Sequence, residues 1–130
     1  PEVPQRSIHF KYWRNILTSA DNRAYAIYYI DKHVGNCGLK NINIDKSSCE
    51  LWIYIADISA RGKGLAKNSV LNLITKAKYE LSCSIIYLHV SKSNLAAIRL
   101  YNSTGFNHVN ELLKEPWANR EDIQKMTLII

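Results

Sequence analysis

Two short segments hold the residues whose types and spacing could do chemistry. The first, Ser59-Ala60-Arg61-Gly62-Lys63-Gly64-Leu65-Ala66-Lys67, joins a strand predicted over 51–55 to a helical pattern beginning near Leu65. Glycines at 62 and 64 let the backbone take positive φ and approach a ligand closely, while the unpaired amides of a helix's first turn favour an anion. Arg61, Lys63 and Lys67 add positive charge. Phosphate binding is the chemistry this suits, and a plain strand-to-helix turn is the alternative use of the same glycines. The spacing is neither that of a P-loop nor that of the dinucleotide-binding fingerprint.

The second segment runs from Asn94 to Phe106 and reads as a short helix, with Ser93 or Asn94 at its N-cap and Gly105 just past its end. Asn94, Ala97 and Tyr101 share one face, polar at both ends and small in the middle, whereas Ile98 and Leu100 can pack elsewhere. Such a face could line a ligand site or hold an interfacial tyrosine over a core.

Together the segments resemble the acyl-CoA N-acyltransferases of the GCN5-related (GNAT) superfamily. That family's pyrophosphate signature, [QR]-x-x-G-x-[GA], is matched by Arg61-Gly62-Lys63-Gly64-Leu65-Ala66 with Ala in the last place. Its later pattern, N-x-x-A-x-x-x-Y-x-x-x-G-[FY], is matched at every fixed position by Asn94, Ala97, Tyr101, Gly105 and Phe106. The resemblance covers residues 24–110 and extends more loosely to both ends. Enzymes of this type usually open with a first strand and helix, and this chain begins just ahead of what resembles the second helix, so it looks N-terminally incomplete.

The resemblance implies an α/β (α+β) fold with a mixed, mostly antiparallel sheet, splayed at the cofactor site, with helices on both faces. It implies acetyl-CoA as co-substrate, no metal, and direct attack by an amine in a ternary complex. Backbone from Ile53 through Tyr54 and Ile55 to Ala56, often bulged in relatives, would pair with the pantetheine arm and aim an N–H at the thioester oxygen. Arg61, Gly62, Lys63, Gly64, Leu65 and Ala66 would hold the pyrophosphate, with Asn94, Ala97 and Tyr101 against the cofactor. Tyr101 is the candidate general acid for the leaving thiolate, since a phenol with its ordinary pKa of about 10 is protonated at neutral pH. Packing beneath the pantetheine is its alternative role, and for Asn94 that alternative is simple N-capping.

Glu50 is the candidate general base. It stands where many relatives read A-E-[LI], here Cys49-Glu50-Leu51, and shares strand parity with Trp52 and Tyr54. An ordered water chain could serve instead. His33, in a predicted turn, and His89, on a strand ending near the cofactor, are weaker candidates, since a lone histidine is more often structural.

The elements that must position these groups follow from periodicity. Residues 5–19 have helical spacing, and 23–30 alternate as a strand leading to a turn at Asp31-Lys32-His33. Strands are predicted over 34–44 and 49–56 around the polar turn 45–48. A helix over 66–81 carries Val70, Leu73, Ile74, Ala77 and Leu81 on one side. A strand over 85–90 reads as buried on both faces. A strand near 107–113, a turn at Pro116-Trp117 and a strand over 124–130 complete the chain as one domain, 1–130.

The 130 residues are 47% hydrophobic, enough for a core without staples. Cys37, Cys49 and Cys83 include no C-x-x-C pair, which suggests neither a disulfide framework nor a zinc site and fits reduced thiols of a cytoplasmic protein. No apolar run suits a membrane span. The net charge of +6 suits a polyanionic ligand. The basic residues are scattered and match no nucleic-acid-reading motif, which argues against a nucleic-acid-binding module.

For the acceptor, the aromatic residues of His9 to Trp13 and Tyr25 to Ile30 resemble the branch acting on amino-sugar nucleotides or ribosomal proteins. The expected partner is a small amine, an amino-sugar nucleotide first, ahead of a protein N-terminus or lysine. A homodimer is admitted, and a non-catalytic CoA-binding module is the rival reading.

Overall fold

The structure, a computed structural model, describes residues 11–57, 62, 64–109 and 122–130. Among these, seven strands form one sheet. They are β1 Lys11–Thr18, β2 Arg23–Tyr29, β3 Lys32–Asn43, β4 Ser48–Ile55, β5 Ile85–Ser91, β6 Asn107–Val109 and β7 Ile123–Ile129. Two helices, α1 Leu65–Tyr79 and α2 Leu95–Ser103, follow β4 and β5. The sheet order is β1-β2-β3-β4-β5-β7-β6, antiparallel throughout except for the β4–β5 pair.

That parallel pair is short. Its rungs are Ser48↔Ile85, Cys49↔Ile86 and Glu50↔Tyr87, and none follows, although both strands continue. The sheet is therefore splayed between the C-terminal parts of β4 and β5, as the resemblance implied. Leu51, Ile53 and Ile55 on β4 point to one face with Ile86, Leu88 and Val90 of β5, and both helices cover that face. Its core includes Ile27, Leu39, Leu51, Leu73, Ile86, Leu88, Phe106 and Met126. The other face carries Glu50, Trp52, Tyr54, Tyr87 and His89, and no helix among the described residues covers it.

Four local expectations need correction. Residues 11–18 are strand rather than helix, and 5–10 lie outside the described residues. Helical spacing in this segment loses to cross-strand aromatic pairing: Tyr12 stacks on Tyr28 at 4.9 Å on one face, and Trp13 lies 5.0 Å from Tyr25 on the other. The β2–β3 turn is tighter than expected. Ile30 and Asp31, with φ of 50° and 59°, close a two-residue hairpin, so Lys32 and His33 already belong to β3. The β5 strand is not buried on both faces, because Ile86, Leu88 and Val90 alternate with an exposed Ile85 and half-buried Tyr87, His89 and Ser91. Finally, Leu100 packs against the core, as Ile98 does, but is not confined to it; it also lines the same groove as Tyr101. The predicted turn at Pro116-Trp117 and the end of the strand near 107–113 lie outside the described residues.

Candidate active site

A groove of about 540 Å3 opens where the sheet splays on the helical face. Its walls bring together Ile53, Tyr54 and Ile55 of β4, Gly62, Gly64, Leu65, Ala66 and Lys67 at the start of α1, and Asn94, Ala97 and Tyr101 of α2. Every described cofactor-side residue expected from the two motifs is thus in one place, and Ala96 and Leu100 join them. Arg61 and Lys63 lie outside the described residues.

The start of α1 is built for an anion. Gly62 and Gly64 take φ of 76° and 71°, a left-handed conformation that other L-residues adopt at a cost. A Cβ at either would meet no atom of the described residues within 4 Å, chain neighbours aside, which leaves room for a ligand. Gly64 is the N-cap and offers no side chain to the first-turn amides, and no acidic residue occupies that turn. The amides, the helix dipole and Lys67 therefore all favour negative charge at this end of the groove.

Asn94 caps α2 by accepting from the Ala97 amide at 3.2 Å through Oδ1, and its position in the groove leaves the capping and ligand-facing roles compatible. Tyr101, one helical face along, is buried at 8% exposure and meets Phe106 edge-on at 6.0 Å. Burial raises its phenol above the ordinary value, because a phenolate would lose solvation there. The phenol is thus held in its protonated form.

The ladder to β5 stops at Glu50, while β4 remains in regular register with β3 from Lys40↔Glu50 to Gly35↔Ile55. The irregularity expected in this stretch falls at its end. The amides of Ala56 and Asp57 both donate to the Val34 carbonyl, at 2.9 and 3.2 Å, so two residues of one strand oppose one of the other. Glycine at 35 is required beside it, since a Cβ there would strike the carbonyl oxygen of Tyr54.

Glu50 lies on the opposite sheet face and does not line the groove. Its side chain is 6% exposed and already engaged. Asn41 Nδ2 donates to Oε1 at 2.9 Å, His89 Nδ1 approaches Oε2 at 3.0 Å, and Lys40 Nζ stands 4.0 Å from Oε2. Asn41 reaches it from an irregular stretch of β3, between the Lys40↔Glu50 and Asn43↔Ser48 rungs, with φ of 51°. Sequence reasoning named Glu50 and His89 separately but not their contact, because only the sheet register brings residues 39 apart together. It missed Asn41 altogether; nothing in Leu39-Lys40-Asn41-Ile42 signals a left-handed asparagine. His33 is a surface group bonded to the Gly35 carbonyl and to Asn36, and it does not line the groove.

The description "Acetyltransferase (GNAT) family" fits residues 1–106 of this chain. The chain belongs to that family. A spermidine N(1)-acetyltransferase of Vibrio cholerae serotype O1 is 31% identical over 98 residues, covering 74% of this chain and 56% of the relative. A spermine/spermidine N(1)-acetyltransferase of Bacillus subtilis strain 168 is 34% identical over 70 residues, or 52% of this chain and 46% of the relative. The chain thus spans about half the length of the curated relatives it matches. Among solved structures, the dodecameric spermidine N-acetyltransferase from Vibrio cholerae superposes with a TM-score of 0.73 at 26% identity, covering 85% of this chain and 66% of that one. These relatives are polyamine acetyltransferases, not members of the amino-sugar or ribosomal-protein branch that the aromatic segments suggested.

Proposed function

We propose that this chain forms the catalytic domain of an acetyl-CoA-dependent N-acetyltransferase whose acceptor is a small aliphatic amine of the polyamine class. The observation that carries the reading is a single groove with an uncapped, acid-free helix N-terminus at one end and a buried protonated tyrosine along it, bordered by the β4 edge that β5 has left. The first-turn amides of α1, with Arg61 and Lys63 from the motif, bind the pyrophosphate. Backbone of Ile53 to Ile55 takes the pantetheine arm as an added strand and aims an amide at the thioester oxygen. The bound neutral amine attacks the thioester carbon directly, with positioning supplying much of the advantage. Tyr101 then donates its proton to the departing thiolate sulfur, and no acyl-enzyme on a cysteine is required. The polyamine class rests on the names of the similar proteins and replaces the amino-sugar nucleotide as first choice.

The test is acetyl-CoA consumption, read as free-thiol release, with spermidine, spermine, a nucleotide-linked amino sugar and a lysine peptide offered separately. Turnover with the polyamines above the other two is expected. Preference for the peptide would make the protein-directed reading correct. Acetyl-CoA binding without turnover on any amine would leave a CoA-binding module.

A further inference from the structure

One side chain at the opening has no part in holding the cofactor. Tyr54 stands on β4, the middle strand of the sheet, yet it is 63% exposed. Its backbone lies between Ile53 and Ile55 at the edge that β5 has left, so it lines the groove with them. Its ring points the other way. By strand alternation it shares a face with Glu50 and Trp52, and its register partner Asn36 continues that face on β3. The surface beside it is low. Asn36 pairs with the buried Ala26 of β2, and the Trp52 indole lies over Gly38, where a Cβ would come within 2.8 Å of the ring. Two aromatic side chains of one strand therefore flank the opening on the face that no helix among the described residues covers.

A thioester held along Ile53 to Ile55 has α1, α2 and Tyr101 on its helical side, so the acceptor reaches the carbonyl carbon from the face on which the Tyr54 ring stands. A polyamine adds a requirement. The nitrogen that attacks must be neutral, but its other nitrogens stay charged, and no carboxylate lines the groove among the described residues. The acids that flank this part of β4 are already engaged, Glu50 by Asn41 and His89 and Asp57 by Lys32 at 2.6 Å. An exposed tyrosine can meet the requirement, because its ring face attracts an ammonium while its apolar body takes a methylene chain. We propose that Tyr54, with Trp52 beside it, receives the methylene chain and the retained ammonium of the acceptor, which makes Tyr54 a specificity-determining residue for alkylamines of more than one charge. This rests on the acetyl-transfer reading. No bond is made or broken at the ring, so its effect falls on acceptor affinity rather than on proton transfer.

The experiment measures kcat and KM of the wild type, Tyr54→Phe and Tyr54→Leu with spermidine, hexamethylenediamine and hexylamine. The last two share one carbon chain and differ only in the second nitrogen. For Tyr54→Leu we expect KM to rise roughly 3- to 30-fold with spermidine and with the diamine, the range of one cation–π contact, while KM for hexylamine stays put. Tyr54→Phe keeps the ring face and should keep the wild-type KM values. In both variants kcat and the calorimetric affinity for acetyl-CoA stay near wild type. Equal rises for the diamine and hexylamine overturn the inference and leave Tyr54 as a wall, and so does an unchanged KM for every amine. Should Tyr54→Leu not fold, the wild type decides: the diamine must bind more tightly than hexylamine, read as a lower KM or, for an amine that is not turned over, as a lower inhibition constant against spermidine. No such preference overturns the proposal. A wild type that acetylates none of the amines overturns the acetyl-transfer reading and this inference with it, whereas an active wild type with an unaltered Tyr54→Leu overturns this inference alone.

Discussion

Tyr101 can be separated into wall and acid by one substitution. The phenol is buried and its pKa raised, so it arrives protonated, and its ring also packs against Phe106. Tyr101→Phe keeps the ring and removes the proton. Turnover should drop roughly ten- to a thousand-fold, overlapping the usual contribution of one general acid, while acetyl-CoA affinity in calorimetry changes little. Wild-type kcat under conditions where chemistry limits the rate would leave Tyr101 as packing. The thiols give a second residue-scale expectation. Burial, opposed in part by Lys76, pushes Cys37 from about 9 up to about 12. Cys49 is raised as well, first by burial and then by its neighbour Cys83. A folded state that holds the neutral thiol has this stability in full below the unfolded pKa and loses it as pH rises from about 9 through about 12. Urea midpoints should therefore fall between pH 8 and pH 10.5, and Cys37→Ala should lose less over that interval than the wild type does. An equal slope in both would remove Cys37 from the alkaline transition.

At the scale of elements, the two ligand-facing segments were legible because each is short, local and dictated by backbone chemistry. Gly62 and Gly64 mark positive φ, and Asn94 to Gly105 marks a capped helix, with no need to know what lies across the sheet. Strand β1 was not legible, since Tyr12 and Ile16 satisfy helical spacing and only pairing with β2 turns Tyr12 and Trp13 to opposite faces. The Asn41–Glu50–His89 network failed for the same reason, its members coming from three strands. Two predictions belong here. Gly64→Val places a β-branched residue at φ 71° in the turn that presents the α1 amides, so acetyl-CoA affinity should fall at least tenfold while far-ultraviolet circular dichroism stays native. Unchanged affinity would exclude the turn from binding. Ile30, in contrast, is 51% exposed and strained at φ 50° in the β2–β3 hairpin. Ile30→Asn should raise stability by about 1 kcal/mol in urea unfolding, because asparagine tolerates the left-handed region that a β-branched residue resists.

For the whole molecule, the unusual feature is a sheet that is continuous at one end of its centre and open at the other. The β3–β4 and β5–β7 pairings are long, whereas β4 and β5 pair over three rungs, with the Glu50–His89 contact just beyond the last. The sequence made that opening readable only through resemblance to a family, since no periodicity distinguishes a strand that pairs for three residues from one that pairs for eight. A cofactor lying in the groove would touch β4, α1 and α2 together and so couple the two halves of the sheet. Binding to the folded state alone should stabilise it by about 2.7 kcal/mol at a ligand concentration a hundred times Kd. For a domain of this size that corresponds to a rise in Tm of roughly 10 °C. Scanning calorimetry with coenzyme A, with pantetheine and with pyrophosphate divides the effect by site. Coenzyme A should give the full shift, and pyrophosphate a smaller one that fades with added salt, since it acts on the α1 terminus and the positive charge around it. Pantetheine should give a shift indifferent to salt, because an added strand on β4 relies on backbone hydrogen bonds. Equal shifts from coenzyme A and pyrophosphate would mean that only the phosphate end of the groove binds, and that the splayed edge of β4 takes no strand.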